Sequence, residues 1–329
     1  MTSGLQIERA FLRLAMASAV IILIAGVTLA QSDANKLVLS FSNLATLDEA
    51  VDGHYEGWAI VGGSPVSTGT FNVDASGMPV ALGSGMPIAE FDAGTNITSA
   101  TDIKISIEPV GDNDTVPAPH IILGGAVSLK RASLATGLPD FSTLESSATG
   151  AFILATPSDN AASAANDEMG IWFLTTPGPV AGLMNLPDIG PNWQYEGWVV
   201  DTSAGPTPYS TGTFGDATMM DIDAAGCNGG GPPFPGQDFV PFHCGPTLDL
   251  ADGNFLAVLS VEPVPDPNPN PFQLKPMAGA IPTDGVGMMS IGMDNQVSAT
   301  FPTGSAMLFA GSVATESSSL SRIKTNYSN

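Results

Sequence analysis

The stretch Tyr55-Glu56-Gly57-Trp58 returns 140 residues later as Tyr195-Glu196-Gly197-Trp198. Two more landmarks follow each of these stretches in the same order. They are Pro65-Val66-Ser67-Thr68-Gly69-Thr70-Phe71 with Pro208-Tyr209-Ser210-Thr211-Gly212-Thr213-Phe214, and Ile105-Ser106-Ile107-Glu108-Pro109-Val110 with Leu259-Ser260-Val261-Glu262-Pro263-Val264. Their offsets differ only by loop-sized amounts, which indicates a duplicated segment. Because the period is far longer than that of solenoid repeats, we expect each copy to carry its own core.

The hydrophobic pattern of both copies is that of β-strands. Isoleucines alternate with polar residues over 103–107, as on a strand with one buried face, and Ala257, Leu259 and Val261 repeat the apolar face. Glycine (37) and proline (27) are scattered without a period, which favours short strands joined by turns over long helices. Further strands are predicted at 37–41, 55–61, 66–73, 121–127, 151–156, 171–174, 277–281 and 307–313. The sequence therefore predicts an all-β fold of two tandem antiparallel β-sandwich domains.

The predicted domain organisation has four parts. Residues 1–30 form a targeting segment, 31–158 the first sandwich, 159–315 the second, and 316–329 a polar tail. The boundary between the copies falls in a polar, small-residue stretch within 156–168. The second copy carries a Gly/Pro-rich insertion that begins near Cys227, and we expect a disulfide to pin it.

The N-terminal segment has the pattern of a signal peptide. Arg9 and Arg13 precede an uncharged apolar run over 14–30, and Thr28-Leu29-Ala30 places small residues where a signal peptidase cleaves. Seventeen apolar residues are marginal for a membrane span, so cleavage before Gln31 is preferred, with an uncleaved anchor as the alternative. Either interpretation predicts a secreted or cell-surface protein, attached to a membrane only through this segment if it is retained.

The net charge of −23 excludes a nucleic-acid-binding role, since no basic surface exists to neutralise phosphates. The same acidity keeps a protein soluble and suits saline or calcium-rich surroundings. Asp112, Asp114, Asp221 and Asp223 lie in oxygen-rich loops where calcium is one interpretation and solvated acidic loops the other. No other cofactor is predicted.

The two cysteines, Cys227 and Cys244, both fall in the second copy. Export would place them where disulfides persist, so we predict that they pair. A zinc site is disfavoured, because only His243 is a nearby soft ligand and zinc requires three or four.

The ordered landmarks resemble the extracytoplasmic C-terminal domain of anti-sigma-K factors and its secreted relatives. The first copy carries the pattern with Tyr55, Trp58, Ser67, Gly69, Phe71, Glu108 and Pro109, and the second with Tyr195, Trp198, Ser210, Gly212, Phe214, Glu262 and Pro263. The resemblance implies a β-sandwich and a sensory or interaction role without known chemistry. Only about thirteen residues precede the apolar run, without Cys or His, so no sigma factor is expected as a partner.

The residues that could carry chemistry allow a functional and a structural interpretation. Glu56 and Glu108, repeated as Glu196 and Glu262, could form a glycosidase-like carboxylate pair, or accept backbone hydrogen bonds. The two repeated tryptophans could bind sugars or fill the same space in each core. The three histidines, His54, His120 and His243, show no nucleophile-and-base arrangement.

The sequence therefore predicts an exported, non-enzymatic structural or interaction protein that associates with itself or another extracytoplasmic protein through sheet edges. The strand at 37–41 could pair within its own domain or be donated to a neighbouring molecule. The alternatives are a sensory or ligand-binding module and, least favoured, a secreted hydrolase.

Overall fold

The described part of the chain is built mainly from β-strands. The computed structural model describes residues 33–138, 140–157, 167–222, 231–240 and 246–310. The first copy contains β1 (Lys36–Ser42), β2 (His54–Val61), β3 (Ser64–Val73), β4 (Pro79–Val80), β5 (Phe91–Asp92), β6 (Asp102–Glu108), β7 (Ile121–Ala126), β8 (Arg131–Thr136), α1 (Phe141–Ser146) and β9 (Gly150–Leu154). The second contains β10 (Gly170–Trp172), β11 (Leu174–Thr175), β12 (Val180–Ala181), β13 (Trp193–Asp201), β14 (Thr207–Phe214), β15 (Gly236–Asp238), β16 (Phe255–Pro263), β17 (Leu274–Ala280), β18 (Ile291–Asn295), α2 (Val297–Thr300) and β19 (Thr303–Leu308). The prediction of a β-rich fold is confirmed.

Two large antiparallel sheets contain most of these strands, and their strand orders match. The first sheet runs β4-β3-β2-β6-β7-β8-β19-β1-β5, and the second runs β14-β13-β16-β17-β18-β9-β10-β15. When the two orders are aligned with β3 opposite β14, every following strand stands opposite its counterpart from the other copy, for example β2 opposite β13 and β6 opposite β16. The duplication seen in the sequence is therefore also a duplication of topology.

The last strand of each copy lies in the sheet of the other copy. β9 ends the first copy but pairs with β18 and β10 of the second sheet. β19 ends the second copy but lies between β8 and β1 of the first sheet, where Leu308 is paired with Leu37. The two copies thus exchange equivalent strands within one chain.

The two short helices lie where the chain crosses between the sheets. α1 precedes β9 and α2 precedes β19, and the rings of Phe141 and Phe301 lie 5.6 Å apart at the ends of these helices. Asn295 strengthens the crossing, because its Nδ2 donates to the carbonyl oxygens of Leu144 (2.9 Å) and Ala148 (3.1 Å). Both helices are too short to give an amphipathic period in the sequence.

The expectation of a separate core in each copy is wrong. One cluster of buried hydrophobic side chains includes residues of both copies, from Leu37 and Ile103 to Leu259 and Leu308. The strand exchange explains this continuity, since each sheet buries side chains from both copies. The predicted limits at 158 and 159 therefore mark the boundary between the two repeated sequences and not a boundary between two cores.

Each copy is built on one curled sheet, whereas the sequence predicted a sandwich of two packed sheets. The two ends of each sheet approach each other. The rings of Phe71 on β3 and Phe91 on β5 lie 5.3 Å apart, and those of Tyr209 on β14 and Phe239 beside β15 lie 6.4 Å apart. Short antiparallel strands with frequent turns are common to sandwiches and barrels, so the sequence pattern does not distinguish them.

A repeated β-bulge contributes to this curl. The register shifts between Gly57 and Trp58 in β2, and between Glu196 and Trp198 in β13. A Cβ at Gly57 would lie 2.4 Å from Thr68 Oγ1, and one at Gly197 would lie 2.3 Å from the equivalent threonine oxygen. Bulges increase local twist, and here glycine is needed so that the facing strand can approach.

The strand predicted at 37–41 corresponds to β1, which pairs with β19 and β5 of its own chain. Leu37, Leu39 and Phe41 are all buried in the main core. Of the two alternatives for this strand, the structure has the intramolecular pairing.

Within the described residues, no helix is both long and apolar enough to cross a membrane. The predicted signal peptide or anchor at 1–30 and the polar tail at 316–329 lie outside the described residues, so both remain predictions.

Candidate functional site

The repeated tryptophans occupy equivalent buried positions. Trp58 and Trp198 are 1% and 2% exposed, and each indole Nε1 donates to a serine Oγ at 2.7 Å. The acceptors are Ser106 on β6 and Ser260 on β16. A buried indole N–H requires such a partner, and the pairing of adjacent strands supplies it. With both rings covered, the geometry fits the packing role and offers no ring face to a sugar.

Each serine links its tryptophan to a buried glutamate. Ser106 donates to the carboxylate of Glu108, and Ser260 donates to that of Glu262. The carboxylates are 1% and 0% exposed. Because these residues are two apart on a strand, both side chains lie on the same face of the sheet.

A loop then covers each glutamate and supplies a backbone donor. The N–H of Ala118 lies 3.0 and 3.1 Å from the two carboxylate oxygens of Glu108. The N–H of Phe272 lies 2.9 and 3.1 Å from those of Glu262. The equivalence of these contacts shows that the duplicated Ser-x-Glu-Pro segments perform the same structural task.

A second glutamate in each copy holds the bulge. Ser67 donates to Glu56 and its Oγ accepts the N–H of Gly69 at 3.2 Å. Ser210 donates to Glu196 in the same way and accepts the N–H of Gly212 at 3.1 Å. Both glycines have positive φ, 117° and 102°, which explains why glycine follows the serine by two residues in both copies.

The repeated tyrosines anchor the strands to the preceding loops. Tyr55 Oη donates to the carbonyl of Ala45 at 2.8 Å, and Tyr195 Oη donates to that of Pro187 at 2.9 Å. Burial raises the pKa of both phenols. They therefore remain neutral donors at physiological pH. Phe71 and Phe214 pack on these tyrosine rings, with centroids 5.6 and 5.9 Å apart.

Burial perturbs two of the glutamates. Desolvation raises the pKa of Glu262 to about 8, against the opposing effect of the Ser260 and Phe272 hydrogen bonds. Desolvation also raises the pKa of Glu56, and the hydrogen bond from Ser67 opposes it. These shifts follow from location in the fold, since the low-dielectric surroundings disfavour the charged form.

The arrangement does not present a carboxylate pair to a substrate. The four repeated glutamates are at most 6% exposed. Each accepts hydrogen bonds from its own copy, as described above for the serines and the covering loops. We interpret the pairs as structural, in agreement with the second alternative from the sequence. Pro109 and Pro263 stand where the strand gives way to the covering loop.

The histidines do not converge. His54 begins β2, opposite Glu108 in register. His120 packs edge-on against the ring of Trp193 at 5.5 Å, and its Nε2 lies 3.1 Å from the carbonyl oxygen of Val264. It thus helps to join the two copies. His243 lies outside the described residues.

The predicted calcium ligands are only partly described. Asp114 Oδ1 accepts the N–H of Val116 at 2.7 Å in an exposed loop that also contains Asp112. Asp221 is buried, and its Oδ2 accepts the N–H of Gly236 at 2.9 Å. Across the described ranges, no three His, Cys, Asp or Glu side chains are grouped so that they could hold a metal ion. Asp223 lies outside those ranges, so calcium binding there remains a prediction.

The predicted disulfide also falls outside the described residues, since Cys227 lies in 223–230 and Cys244 in 241–245. The pairing therefore remains a prediction.

Sequence reasoning missed a cleft between the two copies. Its volume is about 230 Å³, and it is lined by Ala45, Thr46, Leu47, Asp52, Asn268, Asn270, Pro271, Phe272, Gln273 and Lys275. Gln273 joins its two sides, because its Oε1 accepts the N–H of Ala45 at 2.8 Å and its Nε2 donates to Tyr55 Oη at 2.7 Å. The signal that could have revealed this cleft is a difference between the copies, since Lys275 stands where the first copy has Ile121.

No protein-family model, no curated protein and no solved structure matches this chain.

Proposed function

We propose that this is an exported, non-enzymatic interaction protein that associates with further copies of itself outside the cell. The repeated polar residues support this proposal because they form buried hydrogen bonds within the fold, which gives them a structural role. What distinguishes the surface is its acidity and a few exposed apolar side chains. The two-copy resemblance to the extracytoplasmic part of anti-sigma factors agrees with an interaction role, and no sigma factor is proposed as partner.

The observation that carries the proposal is the outer edge of β14. Among the described strands, this eight-residue strand lies at the end of its sheet and pairs with β13, whereas its counterpart β3 pairs with both β2 and β4. One residue of β14 is already bonded elsewhere, because the carbonyl of Thr213 accepts the N–H of Ile222 at 2.9 Å. The segment that follows β14 has exposed apolar side chains, since Met219 is 61%, Met220 49% and Ile222 80% exposed. A strand edge beside an apolar patch is a surface that another chain can extend.

The high net charge sets the conditions for association. Copies that each carry −23 repel one another at low ionic strength. At about 0.15 M salt the screening length falls to about 8 Å, so the repulsion no longer prevents contact between apolar patches. Association should therefore increase with salt.

The test is sedimentation velocity of the mature protein at about 100 µM over a series of salt concentrations. The wild type should form higher-order species as salt rises, and the Met219→Gln, Ile222→Gln double variant should remain monomeric. A matched control replaces two exposed apolar residues of the first copy, Val116 and Leu129 (63% and 94% exposed), by Gln and should associate like the wild type. A wild type that stays monomeric at every salt concentration would contradict the proposal.

A further inference from the structure

The cleft between the copies contains a lysine that has no carboxylate at ion-pair distance among the described residues. Lys275 lies on β17 and is half-buried. Its Nζ donates to the carbonyl oxygens of Phe272 (2.7 Å) and Pro271 (3.2 Å). No carboxylate oxygen of the described residues lies within 4.0 Å of it, and the two ion pairs found there both involve Lys36. An ammonium has three N–H donors, so one remains for a ligand.

This is an unusual position for a cation in so acidic a chain. The protein has 9 basic and 32 acidic side chains, yet this half-buried lysine has no carboxylate within 4.0 Å among the described residues, and Glu262 acts on it only from a greater distance. A half-buried charge costs free energy unless an opposite charge compensates it. A bound anion would supply that compensation.

The rest of the cleft offers groups suited to hydroxyls. Asp52 Oδ1 accepts from Asn268 Nδ2 at 2.7 Å, and Asn268 Oδ1 in turn accepts from Asn270 Nδ2 at 3.0 Å. Asn268 Oδ1 also accepts the backbone N–H of Asn270 at 3.0 Å, so both of its lone pairs are used. The Asp52 carboxylate accepts one hydrogen bond on each oxygen and retains lone pairs that can accept hydrogen bonds from a ligand. Phe272 and Pro271 add an apolar surface. A few polar groups on an apolar base are the usual composition of a small-molecule site.

The equivalent place in the other half of the molecule has different residues. Counting along the repeats, Ile121 corresponds to Lys275 and Pro119 to Gln273, and Trp193 corresponds to Gly53 beside the cleft. The matching N–H contacts of Ala118 and Phe272 fix this alignment. The equivalent place thus carries apolar or bulky residues where the cleft has a lysine, an amide and a glycine. The residues that give the cleft its polarity are therefore not repeated there.

We propose that this cleft binds a small hydroxylated carboxylate of the sugar-acid type, with the carboxylate on Lys275 and hydroxyls on Asp52 and the neighbouring amides. The volume of about 230 Å³ suits one such molecule. Asp52 would repel a simple anion but accepts a hydrogen bond from a hydroxyl, so it selects against ligands that carry charge alone. Binding goes beyond self-association, because the cleft and β14 are made by different residues.

The fold also connects the cleft to the buried network of the second copy. The carbonyl of Phe272 accepts from Lys275, while the N–H of the same residue donates to Glu262. Glu262 is in turn bonded to Ser260, which accepts from Trp198. A ligand that draws the ammonium away from the Phe272 carbonyl therefore acts on the residue that holds Glu262.

The experiment is calorimetric titration of the full mature chain with D-glucuronate, with glucose and acetate as comparison ligands. Glucuronate should bind with a dissociation constant of about 1 mM or lower. Glucose lacks the carboxylate and acetate lacks the hydroxyls, so each should bind at least about tenfold more weakly. Absence of saturable glucuronate binding, or acetate binding as tight as glucuronate binding, would overturn the proposal.

Two variants locate the site. Lys275→Gln should weaken glucuronate binding at least about tenfold, since a hydrogen bond to a charged group is lost. Lys104→Gln, at an exposed lysine on β6, is the matched control and should bind like the wild type. Asp52→Asn tests the site independently if Lys275→Gln lowers the melting temperature. This second variant should reduce the preference for glucuronate over acetate. Wild-type affinity in both cleft variants would place any binding elsewhere and refute the assignment.

Discussion

The buried carboxyl of Glu262 predicts that stability falls as the pH rises through neutrality. Its side chain is fully buried, and its pKa rises from 4.5 to about 8 in the folded protein because burial disfavours the charged form. The folded state therefore binds this proton more tightly than the unfolded chain does. The resulting stabilisation is fully present below about pH 4.5 and is lost as the pH rises to about 8.

The size of the effect follows from the shift. One pKa unit corresponds to about 1.4 kcal/mol, so this carboxyl alone would lower the free energy of unfolding by up to about 5 kcal/mol between pH 4.5 and 8. That is a large share of the stability of an ordinary domain. Glu56, whose pKa burial also raises, adds to the same trend. Asp74, Asp201 and Asp216, whose pKa values are lowered by turn hydrogen bonds, act in the acid range instead.

The perturbation is Glu262→Gln, which keeps the shape of the protonated carboxyl and an oxygen that can accept the Phe272 N–H. The assay is guanidinium unfolding at pH 5, 6, 7 and 8. The variant should match the wild type near pH 5 and exceed it by several kcal/mol at pH 8, because it has no proton to lose. Glu145→Gln, at an exposed glutamate of α1, is the control and should reproduce the wild-type profile.

Equal pH slopes for wild type and Glu262→Gln between pH 5 and 8 would refute the reasoning. That result would mean that the Phe272 and Ser260 hydrogen bonds keep the carboxylate charged in the fold.

Two further predictions concern stability. Leu308→Ala should lower the free energy of unfolding by about 2–5 kcal/mol in denaturant titrations, because this 3% exposed side chain of β19 fills the shared core. Met307→Ala, at a 36% exposed neighbour, should cost far less, and equal losses would count against the observed register. Gly197→Ala should destabilise by at least about 2 kcal/mol, since its Cβ would lie 2.3 Å from Thr211 Oγ1 and 2.5 Å from a phenylalanine ring carbon. Gly57→Ala should be milder, because only a threonine oxygen lies that close, and thermal melting that ranks the two variants the other way would contradict this.

The repeats and the period-two pattern were enough to predict the long strands. β2, β3, β6 and β16 lie within a residue or two of their expected positions. The patterns worked there because alternating burial is a local property of a strand. Strands of two or three residues, such as β4 and β15, are too short to show a period.

The sequence could not predict which sheet receives each strand. The apolar stretches that predict strands at 151–156 and 307–313 indicate buried side chains, but they do not indicate against which copy those side chains pack. The structure has the corresponding strands at 150–154 and 303–308. An exchanged strand and a retained strand bury the same residues, so both arrangements satisfy the same pattern. This is why the expectation of separate cores was wrong.

The candidate cleft could not be predicted for a related reason. It is formed by loop and strand residues from both copies, and no single motif contains Asp52 together with Lys275. The landmarks that the copies share identified the structural network, whereas the cleft depends on positions where the copies differ.

The position of β19 has a consequence for biosynthesis. Until residues 303–308 have left the ribosome, β8 and β1 have no strand between them, although everything else in the first sheet has long been translated. The first sheet therefore stays incomplete until the C-terminal part of the chain has been synthesised. A product that ends before residue 303 would lack an internal strand of the first sheet, although every other strand of that sheet would be present in its sequence. Its unpaired strand edges and uncovered core would then be accessible to proteases.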